Sequence, residues 1–207
     1  MAEEGLTAFL VDMDSPGVST RHTDPVGLRL IPTADVIFDD VRVPSTAVLG
    51  EVGRGMDTFL TTFNISRLGN ASELIGLGRR AMGDGLEYAS ERRVGDGHVV
   101  DFQGLQWMVA DAFSELYSAS LARDRAANMA DLGLDHALET SLAKKLAIEG
   151  AESALSSAFS MVGGHGLYHE RDYVMISNDV RVLRVAGGSL EILRTRLNRI
   201  IRTKDVY

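Results

Sequence analysis

From about residue 53 onward, apolar residues recur every three or four positions, a spacing that predicts long amphipathic helices. The first predicted helix begins near Gly53 and ends before the break at Gly95-Asp-Gly97. A second covers about 102–132, with Gly133 as its C-terminal cap. A third covers about 135–161 and is rich in alanine and leucine, which are strong helix formers.

Two shorter helices are predicted near 170–182 and 188–203, after the glycines that follow the third helix. Three long amphipathic helices with short connections favour an antiparallel arrangement, completed by the C-terminal helices. The pattern therefore predicts a mainly α protein built on an antiparallel four-helix-type bundle.

The first fifty residues have a different pattern, with short β-prone runs separated by turn residues. Such runs occur at 6–11, 36–38 and 41–43, and Pro44 ends the last of them. Two or three strands rarely form an independent sheet. We therefore expect residues 1–52 to be the end of an incomplete β-domain whose strands lack partners here, and residues 53–207 to form the helical-bundle domain.

Composition excludes several classes of function. The net charge of −8 disfavours a general nucleic-acid-binding role, which requires a basic face. Cysteine is absent, so disulfides, thiolate catalysis and thiolate metal sites are excluded. The sequence has neither an apolar run of about 18 residues, as a membrane span requires, nor a secretory signal at its start. A cytoplasmic location is the expectation that fits.

Five short motifs follow one another in a recognisable order along the chain. They are Phe38-Asp-Asp-Val-Arg-Val-Pro44, Gly53-Arg-Gly55, Tyr88-Ala-x-Glu-Arg92, Gly163-Gly-x-Gly166 and Gly188-Ser-x-Glu-Ile192. Together they resemble the C-terminal half of the acyl-CoA dehydrogenase family, from the end of its β-domain through its helical bundle.

The resemblance implies a flavoprotein oxidoreductase that uses FAD to dehydrogenate the α,β bond of an acyl-CoA thioester in fatty acid metabolism. It also implies a homo-oligomer, because in this family FAD lies across a subunit interface. The chain corresponds to roughly half of a family member. The alternative is a hetero-oligomer with a chain that supplies the missing N-terminal domains.

The family's catalytic base is missing from both of its usual positions. A glutamate normally precedes the Gly-Ser-x-Glu-Ile run, where this chain has Gly187. Some branches of the family place the base earlier on a helix, where this chain has Ser66. No residue is therefore assigned as catalytic, and the isolated chain is expected to be inactive.

Substrate contacts follow from the same resemblance. Arg67 matches an arginine beside the acyl-CoA, and a guanidinium suits a phosphorylated or carbonyl-rich ligand. Gly187 and Gly188 could donate a backbone N–H to the thioester carbonyl. The alternative for Arg67 is an ordinary arginine on a helix surface or at a domain contact.

Six residues are assigned to FAD by resemblance: Arg92, Gln103, Gly163, Gly164, Ser189 and Glu191. Arg92 and Gln103 would reach the adenine and pyrophosphate of a cofactor bound by a neighbouring subunit. Gly95-Asp96 replaces the family's Phe-Gly pair, which removes an aromatic wall for the adenine. The alternatives are ordinary helix-end charges for Arg92 and Gln103, and a helix C-terminal turn for the glycine pair.

A metal site is not predicted. His165 and His169 are four residues apart and Glu170 is adjacent, which resembles a ligand spacing. However, Gly166 lies between the two histidines and makes a regular helix doubtful there.

Two other functions remain open. The chain could be a non-catalytic structural or partner subunit with a degenerate FAD site. It could also be a flavin monooxygenase or oxidase of the same fold, in which the base need not be glutamate. Fold alone does not choose among these functions.

Overall fold

A computed structural model describes residues 5–203 of the chain, and within that range the protein is mainly helical. Its five α-helices are α1 (Gly55–Glu91), α2 (Gln103–Asp131), α3 (Ala137–Val162), α4 (Tyr173–Val185) and α5 (Leu190–Thr203). All five lie close to the predicted positions, and the mainly α bundle is confirmed.

Helices α1 and α3 run in the same direction and approach closely at two glycines of α1. A Cβ atom at Gly78 would lie 3.2 Å from the Cα of Ala151, and one at Gly85 would lie 3.2 Å from the Cα of Ala158. On each helix the second contact lies seven residues after the first, which is the interval of a coiled coil. We call these four residues the α1–α3 seam.

Helix α2 runs antiparallel to the other two long helices. Arg79 on α1 donates a hydrogen bond to Ser120 near the middle of α2, at 2.9 Å. On α3, Ser157 donates one to the carbonyl of Met108 near the start of α2, at 3.5 Å. The up-down-up order is the one expected for helices joined by short connections.

The core of the bundle consists mostly of alanine and leucine. Its fully buried side chains include Leu74, Ile75, Ala112, Ala119, Ala147, Ile148, Ala151, Val180, Leu183 and Leu193. None of the helices within residues 5–203 is both long enough and apolar enough to cross a membrane.

Short strands form two small antiparallel sheets in the first fifty residues. Strand β1 (Ala8–Phe9) pairs with β4 (Val48–Leu49), and β2 (Val18–Thr23) pairs with β3 (Thr33–Phe38). A third hairpin pairs β5 (Arg93–Val94) with β6 (Gly97–His98), between α1 and α2.

These strands differ from the prediction in three ways. Residues 41–43 are not a strand, since the chain leaves the sheet at Asp40, which has a positive φ of 47°. Strand β2 was not predicted because its sequence is polar. The predicted strands also have partners within the chain, although every residue of β3 remains exposed.

The chain divides into two compact units, one ending at Asn64 and the other beginning at Ile65. Helix α1 begins in the first unit and continues into the second. The assignment of residues 1–52 to the end of a β-domain and of 53–207 to a bundle domain stays a prediction.

Candidate functional site

The turn between α4 and α5 contains the two glycines that match the family's catalytic region. Gly187 has φ of +72° and Gly188 has φ of +103°. Residues with side chains rarely adopt such backbone conformations, so both positions favour glycine. The local backbone therefore accounts for the glycine that stands where a carboxylate is expected.

Three side chains donate hydrogen bonds to the carbonyls of this turn. The Nε of Arg67 donates to the carbonyl of Gly187 at 2.7 Å. The Nζ of Lys144 donates to the carbonyl of Ala186, and the Nδ2 of Asn70 lies 3.4 Å from the same oxygen. We call Arg67, Asn70, Lys144 and the turn 186–188 the turn cluster.

The space that a side chain at Gly187 would need is already occupied. A Cβ atom there would lie 2.6 Å from the Nδ2 of Asn70 and 3.1 Å from the Nζ of Lys144. The first distance is too short for a real contact, so Asn70 would have to move. The missing carboxylate has thus left no empty pocket beside the turn.

The turn cluster contains two buried cations. The side chain of Lys144 is fully buried, and Arg67 is only 3% exposed. Burial lowers the pKa of Lys144 to about 8, with a further contribution from the charge of Arg67 and an opposing one from Glu73. Burial also lowers the pKa of Arg67 to about 10, and the nearby charge of Arg196 adds to that shift.

Ser66, at the family's alternative base position, and Arg67, predicted to bind the substrate, lie in different environments. Ser66 is exposed, whereas the adjacent Arg67 is buried. Arg67 therefore contacts the turn rather than standing on an open helix surface. The sequence analysis missed Lys144 and Asn70. Lys144 could have been found, because it falls on the same helical face as the buried residues Ala147 and Ile148.

Ser189 and Glu191, both predicted to bind FAD, have clear structural roles in the chain. The hydroxyl of Ser189 lies 3.4 Å from the amide of Ile192, as in an N-terminal helix cap. Hydrogen bonds from its own backbone amide and from Ser189 lower the pKa of Glu191. Glu191 also lies 3.5 Å from Arg184. Their assignment to the cofactor stays a prediction.

The second predicted glycine motif ends α3 and forms the short 3₁₀ segment Gly163–Leu167. Gly163 has φ of +57° and caps the helix, as the alternative interpretation expects. A Cβ at Gly166 would lie 2.7 Å from a methyl of Val162, so packing requires glycine there. Gly164 differs from both, because its φ is not in the positive range and a Cβ there would meet open space.

Arg92 follows Tyr88 by one helical turn, and the ring of Tyr88 contacts this segment. The amide of Arg92 donates to the carbonyl of Tyr88 on the last turn of α1, at 2.9 Å. The ring of Tyr88 lies 5.5 Å from the ring of His165, and the ring of Tyr168 lies 6.0 Å from that of His165, centroid to centroid. We call Tyr88, His165 and Tyr168 the ring cluster.

Gln103 is the first residue of α2 and is exposed. The hairpin of β5 and β6 separates it from Arg92, and the amide of Val99 donates back to the carbonyl of Arg92 at 2.9 Å. Gly95 has φ of +59° at the tip of this hairpin. The turn thus favours glycine where the family has an aromatic residue.

Six of the nine residues predicted to bind substrate or cofactor therefore fall into two groups. Arg67, Gly187 and Gly188 belong to the turn cluster, whereas Arg92, Gly163 and Gly164 surround the ring cluster. Arg67 and Tyr88 are 21 residues apart on α1, which corresponds to about 30 Å along the helix axis. The two groups are too far apart to form opposite sides of one pocket within a chain.

His165, His169 and Glu170 do not form a metal site in the structure. Within residues 5–203, histidine, aspartate and glutamate side chains form no group of three that could hold an ion. The ring of His165 instead contacts two tyrosine rings.

Known proteins resemble this chain over almost its whole length. The sequence model described as "Acyl-CoA dehydrogenase, C-terminal domain" matches residues 53–201. The caffeyl-CoA reductase-Etf complex subunit CarC of Acetobacterium woodii is 33% identical over 91% of this chain and 50% of its own length. The human mitochondrial short-chain specific acyl-CoA dehydrogenase is 32% identical over 94% of this chain and 47% of its own.

The fold agrees with these sequence matches. The crystal structure of acyl-CoA dehydrogenase from Geobacillus kaustophilus superposes with a TM-score of 0.88 and 26% identity, covering 94% of this chain and 52% of that one. The chain thus spans about half the length of the relatives that it matches. Motif order, helical architecture and sequence match lead to one conclusion: the chain belongs to the acyl-CoA dehydrogenase family.

Proposed function

We propose that this chain is part of an FAD-dependent oxidoreductase that acts on the α,β bond of an acyl-CoA thioester, and that it works only within a larger assembly. The relatives that support this proposal include both a reductase and a dehydrogenase. The proposal therefore concerns the bond that reacts and leaves the direction of the reaction open.

The observation that carries the proposal is the orientation of the peptide between Ala186 and Gly187. Its carbonyl accepts from the buried Lys144. In a trans peptide the N–H points away from the carbonyl, and the described chain has no cis peptide bonds. The Gly187 N–H is thus directed away from Lys144.

The Gly187 amide is the donor that a thioester carbonyl could use. Within residues 5–203, no backbone carbonyl accepts a hydrogen bond from it, whereas the Gly188 amide is engaged by the carbonyl of Val185 at 3.3 Å. A fixed donor aimed at a carbonyl polarises the thioester and favours negative charge on its oxygen. Arg67 and Lys144 would contribute by holding the turn in place.

The residues near the ring cluster fit the nucleotide end of FAD. Gly164 leaves open space above its backbone, so a phosphate could approach closely. Arg92 is exposed and could pair with a pyrophosphate. When bound, FAD supplies hydride chemistry at the β-carbon of the acyl group. The amide of Gly187 would hold the thioester at the adjacent carbonyl.

Neither of the family's two base positions in this chain holds a residue suited to exchange a proton with the α-carbon. Gly187 has no side chain, and an exposed serine at position 66 is a poor base. Lys144 is close to the turn but fully buried. We therefore propose that the assembly supplies this group.

The separation of the two site groups supports an oligomer, in which the turn cluster of one chain and the ring cluster of another would serve the same cofactor. Light scattering at micromolar concentration should give a mass above that of the 22.4 kDa chain. A mass equal to that of one chain would contradict the proposal.

Reconstitution with FAD tests the proposal most directly. The purified chain, alone and with its co-purifying partner, is mixed with FAD, and the visible spectrum of the protein fraction is recorded. We expect a bound flavin in the assembly and no acyl-CoA turnover by the isolated chain with an artificial electron acceptor. Steady turnover by the isolated chain would contradict the need for an outside proton acceptor.

A non-catalytic partner subunit is the second candidate. The filled space beside Gly187 favours it, because the turn leaves no room there for a carboxylate side chain. If the assembly never retains flavin, this second function replaces the first.

A further inference from the structure

We infer that a groove between α1 and α2 is a binding site for a small amphipathic monocarboxylate, such as a medium-chain fatty acid. The groove has a volume of about 350 Å³, which lies at the lower end of the range for small-molecule sites. None of the described residues that line it belongs to the turn cluster or the ring cluster. The inference therefore does not depend on the proposed use of FAD.

The groove is apolar over most of its length. Met82 of α1 and Leu116 of α2 are buried and form its floor. Phe113 and Tyr117 of α2 form one wall, where their rings are stacked at 5.9 Å, centroid to centroid, and both side chains are more than half exposed. On the opposite side Gly83 is exposed, and a Cβ there would meet nothing within 4 Å. The groove is thus open to solvent between an aromatic wall and a helix position without a side chain.

A cation lies at one end of the groove. Of the described residues that line it, Arg79 alone is charged. The Nη2 of Arg79 donates to the hydroxyl of Ser120 at 2.9 Å, which places the guanidinium near Tyr117, one turn before Ser120 on α2. Leu86 and Val109 line the other end, because the two helices are antiparallel. Arg79 and Leu86 are seven residues apart on α1, or about 10 Å along the helix axis.

A cation at one end of an apolar groove favours an amphipathic anion. A guanidinium has five N–H donors and pairs well with the two oxygens of a carboxylate, and the bond to Ser120 engages Nη2. The apolar body of the ligand would displace water from Met82, Leu86 and Phe113, which is favourable in proportion to the area covered. Arg79 would repel an amine, and one cation matches a single negative charge. The groove therefore fits a monocarboxylate better than a pyrophosphate or a neutral lipid.

Isothermal titration of the full chain with decanoate tests the inference. Decan-1-ol and decyltrimethylammonium have the same alkyl chain and serve as the uncharged and the cationic comparison. We expect decanoate to bind, and the other two ligands to bind about tenfold more weakly or less, because neither forms a charge-assisted hydrogen bond with Arg79.

Two pairs of variants locate the ligand. Arg79→Gln should lose about tenfold in decanoate affinity, whereas Arg80→Gln should keep it, because Arg80 pairs with Asp84 and does not line the groove. Gly83→Leu places a side chain in the groove and should abolish binding. Gly76→Leu is its control, since Gly76 is also an exposed glycine of α1 whose Cβ would meet nothing, but it lies outside the groove.

Circular dichroism checks that every variant is folded. Equal decanoate affinities of the wild type and Gly83→Leu would overturn the inference, as would a wild type that does not bind millimolar decanoate. Equal affinities for decanoate and decan-1-ol would also overturn it, because the groove would then bind apolar chains regardless of charge.

A second copy of the chain is the other possible occupant of the groove. If decanoate does not bind, and Gly83→Leu but not Gly76→Leu lowers the mass measured by light scattering, the groove is an interface between chains and the inference is wrong. If decanoate binds as expected while no assembly retains FAD, the carboxylate site stands and the proposed oxidoreductase function fails.

Discussion

The turn cluster and the ring cluster lie 21 residues apart along α1. They differ in the surroundings of the glycine that belongs to the first, Gly187, and of the glycine that precedes His165 in the second, Gly164. Gly187 is enclosed by Asn70, Lys144 and Arg67 and has a positive φ. Gly164 faces open space with an ordinary φ. A glycine that the chain itself requires says little about a ligand, whereas at Gly164 neither the backbone nor the packing requires glycine.

The largest expected effect is that of a side chain at the enclosed glycine. Gly187→Glu should lower the free energy of unfolding by about 2–5 kcal/mol, because the new residue is strained at positive φ and its Cβ presses on Asn70. Urea denaturation followed by circular dichroism measures the change.

Asn70→Ala is the companion variant, since it removes the amide that Gly187→Glu would contact. In the double variant we expect part of the loss to be recovered, with the backbone strain remaining. An unchanged denaturation midpoint in the single variant would show that the turn is not closed as described.

A somewhat smaller effect comes from the buried lysine of the turn cluster. Burial lowers the pKa of Lys144 from 10.5 to about 8, so between these values the unfolded chain binds more protons than the folded one. Stability should therefore rise as the pH increases from 8 to 10.5, by about 3 kcal/mol from this group alone.

Lys144→Met should remove this rise, and Lys145→Met should keep it, because Lys145 is half-buried and pairs with Glu149. Urea denaturation of the three proteins at pH 7, 8, 9 and 10 makes the comparison. If the stability of the wild type changes with pH in the same way as that of Lys144→Met, burial does not lower the pKa of Lys144.

The smallest expected effect on stability is that of Gly164→Ala, at the open end. A methyl group there meets no atom of the chain, so the free energy of unfolding should stay within about 0.5 kcal/mol of the wild type. The same methyl should weaken FAD binding by the assembly, which titration with FAD measures. A strongly destabilised Gly164→Ala would remove the contrast between the two glycines.

The helices were predictable because their apolar spacing and glycine boundaries are local signals. The strands were less predictable. The polar sequence of β2 (Val18–Thr23) shows no alternation of apolar residues, and only its pairing with β3 identifies it as a strand. Conversely, Val41 and Val43 suggested a strand that the positive φ of Asp40 prevents.

Only those residues of the candidate site that belong to a sequence motif could be predicted. Gly187 and Arg67 were identified from the order of the motifs, but their contact depends on residues 120 positions apart in the sequence. Lys144 belongs to none of the motifs, and only its place on the buried face of α3, beside Ala147 and Ile148, could have indicated it. The ring cluster joins the end of α1 to the segment after α3, and spacing along the chain gives no sign of it.

The α1–α3 seam has a consequence for how a movement at the turn cluster affects the ring cluster. Its glycines and alanines have no side-chain rotamers, so the helices lose almost no side-chain entropy where they touch. Helix α1 carries Arg67 and Tyr88, and α3 carries Lys144 and leads into His165. We therefore expect α1 and α3 to move together, so that a displacement of either helix near Arg67 and Lys144 would also shift Tyr88 and His165.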